Sequence, residues 1–228
     1  MFPLQSTVRF EDRADAGRAL ARKLAAFASV PGVVVLGLPR GGVPVAAEVA
    51  RALKAPLDVW IVRKIGVPGH EEYAMGAISS GGILEIDKDV VHSLRIPPSA
   101  VESVVARERV ELERRERVYR RGRAAPELAN KTVIVVDDGL ATGASMRAAV
   151  HAVRAQHPVR IVVAVPVGSA EACADLDALA DECVCASQPA PFHAVGVWYR
   201  DFAPTSDAEV LACLDSAGAT PPRREVRP

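Results

Sequence analysis

The sequence is organised around one stretch, Val133-Ile-Val-Val-Asp-Asp-Gly-Leu-Ala-Thr-Gly-Ala-Ser145. Its first four residues are apolar and β-branched, with no alternating polar residue, which predicts a strand buried on both faces, as in the parallel sheet of an α/β protein. The strand ends on two acids, and residues 146–153 have the composition of a helix. The stretch therefore predicts a strand, a polar turn and a helix in that order.

The polar turn of this stretch has the chemistry of a binding site. Because successive side chains of a strand point to opposite faces, Asp137 and Asp138 are expected to have different partners, one a substrate and the other a cation or a metal-bound water. Gly139 and Gly143 let backbone N–H groups converge on an anion at the helix N-terminus, and nearby hydroxyls add donors. The turn suits a ligand with a phosphate and a diol, although an acidic cap followed by an ordinary turn is the purely structural interpretation.

A second strand, turn and helix lie upstream. Residues 33–38 are apolar and predict a buried strand, and Pro39-Arg-Gly-Gly-Val-Pro44 turns the chain into a predicted helix over residues 45–53. Backbone amides and a fixed cation at a helix N-terminus would suit a diphosphate. A tight turn that needs two glycines explains the same residues, so this segment alone leaves the two interpretations open.

Composition narrows the function classes. A chain of 228 residues can form one large α/β domain, and its 28 basic and 28 acidic residues give a net charge of zero. Nucleic acid is therefore an unlikely partner. The four cysteines form no zinc or redox motif, no apolar run is long enough to cross a membrane, and the first residues do not have the pattern of a signal peptide. We expect a cytoplasmic protein with reduced thiols.

The strand, the acid pair and the Thr-Gly loop together resemble the phosphoribosyl pyrophosphate (PRPP) motif of the type I phosphoribosyltransferases. The resemblance implies a parallel β-sheet flanked by helices, with a flexible hood hairpin, a long inserted helix and a C-terminal hood segment. It also implies transfer of the 5-phosphoribosyl group from PRPP to an acceptor, with release of pyrophosphate and with Mg²⁺ as cofactor. PRPP and a small-molecule acceptor, which we expect to be heterocyclic, are the implied partners.

The same resemblance assigns residues to roles. The catalytic candidates are Asp137, Asp138, Arg40 and Lys64, where Lys64 would lie near the pyrophosphate or the acids. The implied PRPP-binding residues are Arg40, Gly41, Gly42, Asp137, Asp138, Gly139, Ala141, Thr142, Gly143, Ala144 and Ser145. Asp137 and Asp138 are also the metal candidates, with Mg²⁺ bound mainly through PRPP. The family often carries a non-proline cis peptide in the pyrophosphate loop, which makes Arg40–Gly41 the candidate bond.

The central part of the chain is predicted to form a hood over the site. Residues 57–62 have the pattern of a strand, residues 66–73 that of a mobile loop, and residues 74–78 and 82–86 that of a hairpin. A long helix follows from residue 97 to about residue 121, so that residues 66–125 form an insert. This helix could pack on a partner subunit in a homodimer. Its interleaved Arg and Glu residues could attract RNA, but such a pattern usually marks a solvated face.

The remaining elements complete a single domain over residues 1–219, followed by a disordered tail over residues 220–228. A helix over residues 12–27 precedes the first strand, and strand, helix and strand over residues 160–165, 169–180 and 182–186 imply right-handed crossovers and a parallel sheet. The last helix covers residues 206–214. Phe192, Trp198 and Tyr199 could form a wall for a flat acceptor ring, although core packing would explain each of them.

One position departs from the family pattern. Purine phosphoribosyltransferases often carry an Asp at the third position after the acid pair, where this chain has Ala141. A standard hypoxanthine–guanine activity is therefore not expected. Two other classes stay open, which are a non-catalytic PRPP-sensing regulator and a phosphatase or phosphodiesterase that uses the acid pair.

Overall fold

The computed structural model describes residues 9–218. In chain order the helices and strands are α1 (Arg13–Lys23), β1 (Val33–Gly37), α2 (Gly42–Leu53), β2 (Leu57–Val59), β3 (Val62–Val67), β4 (His70–Ser79), β5 (Leu84–Ile86), α3 (Lys88–Ser93), α4 (Pro98–Arg120), β6 (Thr132–Val136), α5 (Ala144–Arg154), β7 (Arg160–Val167), α6 (Ala170–Leu179), β8 (Glu182–Ser187) and α7 (Asp207–Gly218). The predicted tail over residues 220–228 lies outside the described residues.

Five strands form a parallel sheet in the order β2-β1-β6-β7-β8, which confirms the predicted fold class. The last residues of β1 and β6 are in register with each other and with β7, because Gly37 pairs with Val136 and Val136 pairs with Ala164. The segments that follow these strands therefore emerge side by side at one edge of the sheet. Ligands of open α/β sheets bind at this carboxyl edge.

Helices cover both faces of this sheet, which explains the continuous apolar runs. Val133 and Val135 of β6 pack in one core cluster with residues of α5 and α6, and Ile134 and Val136 pack in the other with residues of α1 and α2. All four side chains are buried. Since each face of β6 meets a helical layer, neither face tolerates a polar residue.

The middle of the chain forms a second, antiparallel sheet in the order β3-β4-β5. We call residues 62–120, which comprise this sheet with α3 and α4, the hood. The predicted strand over residues 57–62 is divided, because β2 ends at Val59 in the parallel sheet and β3 begins at Val62 in the hood. The predicted loop over residues 66–73 is wrong in part, since Val67 pairs with His70 and only a two-residue turn separates β3 from β4.

The long helix α4 packs on the antiparallel sheet of the hood and contacts the parallel sheet at its end. The guanidinium of Arg63 on β3 donates to Glu108 Oε2 over 2.9 and 2.6 Å, and the Glu108 side chain is 10% exposed. Near the end of α4, Arg120 lies 3.5 Å from Asp58 Oδ1 and donates to the carbonyl of Val59 over 3.2 Å. The predicted helix was placed correctly, whereas α3 was not predicted.

Candidate functional site

The acid pair lies at the carboxyl edge of the parallel sheet, directly after β6. Both residues are half-buried, and the Asp138 N–H donates to Asp137 Oδ1 over 2.9 Å. Burial raises the pKa of Asp137 well above its ordinary value, and the neighbouring Asp138 charge raises that pKa further. Burial also raises the pKa of Asp138, although Arg13 opposes the increase. Burial therefore disfavours the charged forms of both acids, and a bound cation would stabilise those charged forms.

The structure brings the Arg-Gly-Gly loop against the acid pair. A Cβ atom added to Gly41 would collide with Asp138 Oδ2, and one added to Gly42 would lie 2.7 Å from the Val136 carbonyl oxygen and 2.8 Å from Asp137 Cα. Only glycine permits this approach of the two turns. The two segments that were singled out separately in the sequence thus form one site.

The Arg-Gly-Gly loop has free amides beside its cation. The N–H of Gly42 donates to the Leu38 carbonyl over 3.0 Å, but within residues 9–218 the N–H groups of Arg40 and Gly41 have no hydrogen-bond acceptor. The cis peptide lies between Pro39 and Arg40, so the expectation of Arg40–Gly41 was wrong by one residue.

The Arg40 side chain is 47% exposed and reaches toward the C-terminal part of the chain. Its Nη1 atom lies 3.9 Å from Asp207 Oδ1, at the start of α7. Tyr119 of α4 donates its hydroxyl to the same oxygen over 2.6 Å, and burial together with this bond raises the pKa of Tyr119 to about 12. Asp207, which the sequence did not suggest, is therefore the acid nearest to the Arg40 guanidinium among its described ion pairs.

The turn from Gly139 to Ser145 has its carbonyl groups occupied. Ser169 donates its N–H to the Leu140 carbonyl over 3.0 Å and its hydroxyl to the Ala141 carbonyl over 3.0 Å. Arg147 donates from its side chain to the Thr142 carbonyl and from its N–H to the Gly143 carbonyl, each over 2.8 Å. These four bonds fix the direction of the turn.

The amides of the same turn are left free. Among the described residues 9–218, the N–H groups from Ala141 to Ser145 have no acceptor, and α5 begins within this run at Ala144. Gly143 has φ 71°, a conformation that favours glycine. A run of unpartnered amides at a helix N-terminus is an anion-binding arrangement, which agrees with the predicted phosphate-binding role of this turn.

Arg13 and Tyr199 hold Asp138, a role that the sequence did not suggest for either residue. Arg13, in the first turn of α1, donates from Nε to Asp138 Oδ2 over 2.9 Å. Tyr199 donates its hydroxyl to the Asp138 carbonyl oxygen over 2.6 Å. Both come from distant parts of the chain, and no local sequence pattern marks either of them as a partner of the acid pair.

The aromatic residues divide into two groups. Tyr199 is 4% exposed, packs on Phe10 and Phe202, and uses its hydroxyl on Asp138, so it offers no ring face to a ligand and the expectation for Tyr199 is corrected. Phe192 and Trp198 are half-buried and stacked, with ring centroids 6.5 Å apart and an angle of 19° between their planes. The Trp198 indole nitrogen is buried without a partner in the described chain.

Lys64 lies on β3 of the hood and is exposed, so it does not end a strand of the parallel sheet as the sequence suggested. Its role near the pyrophosphate stays a prediction. Within residues 9–218 no group of three or more His, Cys, Asp or Glu residues could hold a metal ion. No helix in that part of the chain combines the length and apolarity needed to cross a membrane.

Comparison with known proteins agrees with this geometry. The model of the phosphoribosyl transferase domain family matches residues 10–199. Two Mycobacterium tuberculosis proteins, from strains CDC 1551 and H37Rv, are each 49% identical over 208 residues and carry a provisional phosphoribosyl transferase designation. The match covers 91% of this chain and 47% of each relative, so the chain spans about half the length of those proteins.

A solved structure is also similar in sequence and fold. The protein TT1426 from Thermus thermophilus is 48% identical, with a TM-score of 0.78 over 90% of this chain and 97% of that one. The family match over most of the chain shows that this chain belongs to the phosphoribosyl transferase family.

Proposed function

We propose that this protein transfers the 5-phosphoribosyl group of PRPP to a heterocyclic acceptor and releases pyrophosphate. The observation that supports this proposal is the meeting of three features at one sheet edge. These are the acid pair, the Arg-Gly-Gly loop packed against it, and the turn of free amides from Ala141 to Ser145. A diol, a diphosphate and a monophosphate would each have a matching group.

The proposed chemistry needs placement and charge more than a nucleophile. Departure of pyrophosphate leaves an oxocarbenium-like sugar, so the protein must hold the ribose hydroxyls, neutralise the diphosphate and exclude water. Asp137 and Asp138 would accept the ribose hydroxyls. The amides from Ala141 to Ser145 would bind the 5′-phosphate, and Arg40 with the amides of its loop would bind the pyrophosphate.

Mg²⁺ fits this donor set as a partner of PRPP. Carboxylate oxygens are suitable magnesium ligands, and Asp137 and Asp138 are adjacent acids at the same sheet edge. Two carboxylates alone suit an ion that is held largely by substrate phosphates. When bound, Mg²⁺ would neutralise charge on the diphosphate leaving group.

The acceptor side limits which ring nitrogen can react. Ala141 is exposed and has only a methyl group, so the side chain at this position cannot accept a proton. We expect an acceptor nitrogen that is already deprotonated or nucleophilic near neutral pH, or one whose proton leaves to another group. Phe192 and Trp198 are the remaining candidates for an aromatic wall, because Tyr199 is committed to Asp138.

Pyrophosphate release from PRPP, measured across a panel of purine, pyrimidine and other heterocyclic acceptors with Mg²⁺, tests this function. We expect release with at least one acceptor and poor use of hypoxanthine and guanine. PRPP binding without release for any acceptor would favour the PRPP-sensing regulator. Phosphate release from PRPP without an acceptor would favour the phosphatase, and efficient use of guanine would contradict the inference from Ala141.

A further inference from the structure

The strongest unassigned feature of the site is the half-buried arginine that holds Asp138. Arg13 Nε lies 2.9 Å from Asp138 Oδ2, and the two side chains are only 12% and 17% exposed. Arg13 Nη1 also donates to the Ala203 carbonyl over 2.7 Å, and the guanidinium carbon lies 4.1 Å from the centroid of the Phe202 ring. Two directional bonds and one ring contact fix the orientation of this guanidinium.

The backbone that carries Arg13 is fixed as well. Asp12 is the N-cap of α1, and its Oδ1 accepts from the Asp15 N–H over 2.7 Å. The inner face of α1 is buried, with Ala16 and Leu20 fully inaccessible to solvent. The guanidinium therefore projects from a capped and packed helix end, as a precisely placed binding group requires.

The contacts of Asp138 are asymmetric. Arg13 occupies Oδ2, which also lies against Gly41, and Tyr199 holds the Asp138 backbone carbonyl. Within residues 9–218, Asp138 Oδ1 accepts no hydrogen bond. The carboxylate is thus held by one oxygen and by its own backbone, and its second oxygen is left for a ligand.

We propose that Arg13 is a positioning residue, which holds Asp138 through Oδ2 so that Oδ1 is the oxygen offered to the ribose hydroxyls of PRPP. Through Ala203 and Phe202 it also ties the acid pair to the segment that precedes α7. This inference rests on the proposed PRPP binding and adds to it, since it names the residue that sets the geometry of one ribose-binding carboxylate.

Binding of three ligands separates this role from a merely structural one. Calorimetry would compare wild type with Arg13→Met, using PRPP, ribose 5-phosphate and pyrophosphate, each with Mg²⁺. Loss of a charge-assisted hydrogen bond should weaken the two ribose-containing ligands by about tenfold or more. Pyrophosphate, which lacks the ribose, should keep its affinity within about twofold, because the Arg-Gly-Gly loop is unchanged.

A double-mutant cycle with Asp138→Asn tests the route of the effect. Since Arg13 acts through Asp138, Arg13→Met should change ribose 5-phosphate affinity much less in the Asp138→Asn background than in wild type. Arg13→Lys should restore part of the affinity, because a lysine can pair with Asp138 but cannot match both directional bonds of the guanidinium. Arg18→Met, on the exposed side of the same helix, is the matched control and should leave all three affinities unchanged.

Equal losses for pyrophosphate and ribose 5-phosphate would overturn the proposal, because they would indicate general loosening. Fully additive effects in the cycle, or a lower melting temperature with unchanged affinities, would overturn it too. If Arg13→Met does not fold, Arg13→Lys and Phe202→Leu provide the same comparison, and both should weaken ribose 5-phosphate selectively. A wild-type protein that binds neither PRPP nor ribose 5-phosphate would instead refute the proposed function itself.

Discussion

The carboxyl edge of the parallel sheet and the hood are built on different principles. At the sheet edge, glycines let two turns meet, and Arg13 and Tyr199 hold Asp138 by its carboxylate and by its backbone carbonyl. The hood contacts the rest through α4 and through β3 and β4, which lie against α5, and several residues at its hairpin end are exposed. The contrast agrees with our proposal of ligand binding at the sheet edge, and cover by the hood stays a prediction.

Removal of the acid pair should have the largest effect on the sheet edge. Asp137→Asn combined with Asp138→Asn removes both negative charges beside the amide-lined turn. Because hydrogen bonds to charged groups contribute about 1.5–3 kcal/mol each, PRPP affinity should fall by at least about a hundredfold. Calorimetry would measure the loss, and circular dichroism would verify folding. Asp215→Asn is an exposed control, and unchanged affinity in the double variant would refute the assignment.

Two glycine substitutions compare the regions directly. In Gly42→Ala the new Cβ would meet backbone atoms of Val136 and Asp137 at 2.7 and 2.8 Å, and overpacking of this kind costs about 3 kcal/mol. In Gly69→Ala, at the hood hairpin, nothing lies within 4 Å, and only the strain at φ +78° remains, about 1 kcal/mol. Urea denaturation would measure the free energy of unfolding of both variants. Equal losses of stability would contradict the difference in packing between the sheet edge and the hood hairpin.

Arg40→Ala should separate the two phosphate sites of the sheet edge. Arg40 lies in the Arg-Gly-Gly loop rather than in the turn from Gly139 to Ser145, so pyrophosphate binding should weaken by about 2 kcal/mol while ribose 5-phosphate binding is spared. Competition with PRPP would measure both ligands. Equal weakening of the two would show that the guanidinium serves the 5′-phosphate as well.

Arg63→Met tests whether the hood can loosen by itself. The substitution leaves Glu108 with Arg107, at 3.2 Å, as its remaining arginine partner within the described chain. We expect the free energy of unfolding to fall by about 2 kcal/mol. Hydrogen exchange should accelerate in β3–β5 and stay unchanged in β1, β6 and β7. Arg114→Met, at an exposed ion pair of α4, is the control, and uniform acceleration across both sheets would contradict the prediction.

The same measurement on the wild-type protein tests the hood loop. PRPP with Mg²⁺ should protect residues 66–73 from hydrogen exchange.

The smallest effect is expected at the aromatic residues. Trp198→Ala should raise the acceptor KM by about fivefold and leave PRPP affinity unchanged, since base stacking contributes about 1 kcal/mol or more. Tyr199→Phe removes the bond to the Asp138 carbonyl and should instead weaken PRPP. Steady-state kinetics with the best acceptor of the panel would measure both. If both substitutions changed the acceptor KM and the PRPP affinity together, Trp198 and Tyr199 would belong to one site.

Most of the parallel sheet could be predicted from the sequence because its signals are local. Continuous apolar runs marked β1, β6 and β7, and the turns with glycine marked the starts of α2 and α5. Prediction was weaker in the hood, where residues 57–62 have the pattern of one strand. Both β2 and β3 are apolar enough to be strands, and only packing determines which sheet each one joins.

By itself, the sequence determined the buried strands, the acid pair and the two glycine-containing turns, because side-chain volume, backbone freedom and charge are properties of neighbouring residues. The tertiary structure alone decided which groups meet. Arg13 and Asp138 are 125 positions apart, and the bond between them exists because α1 packs beside β7 and β8 and brings its first turn to the sheet edge. Tyr199 was predicted as an acceptor wall for the same reason, since composition records that a ring is present and only packing determines which way it faces.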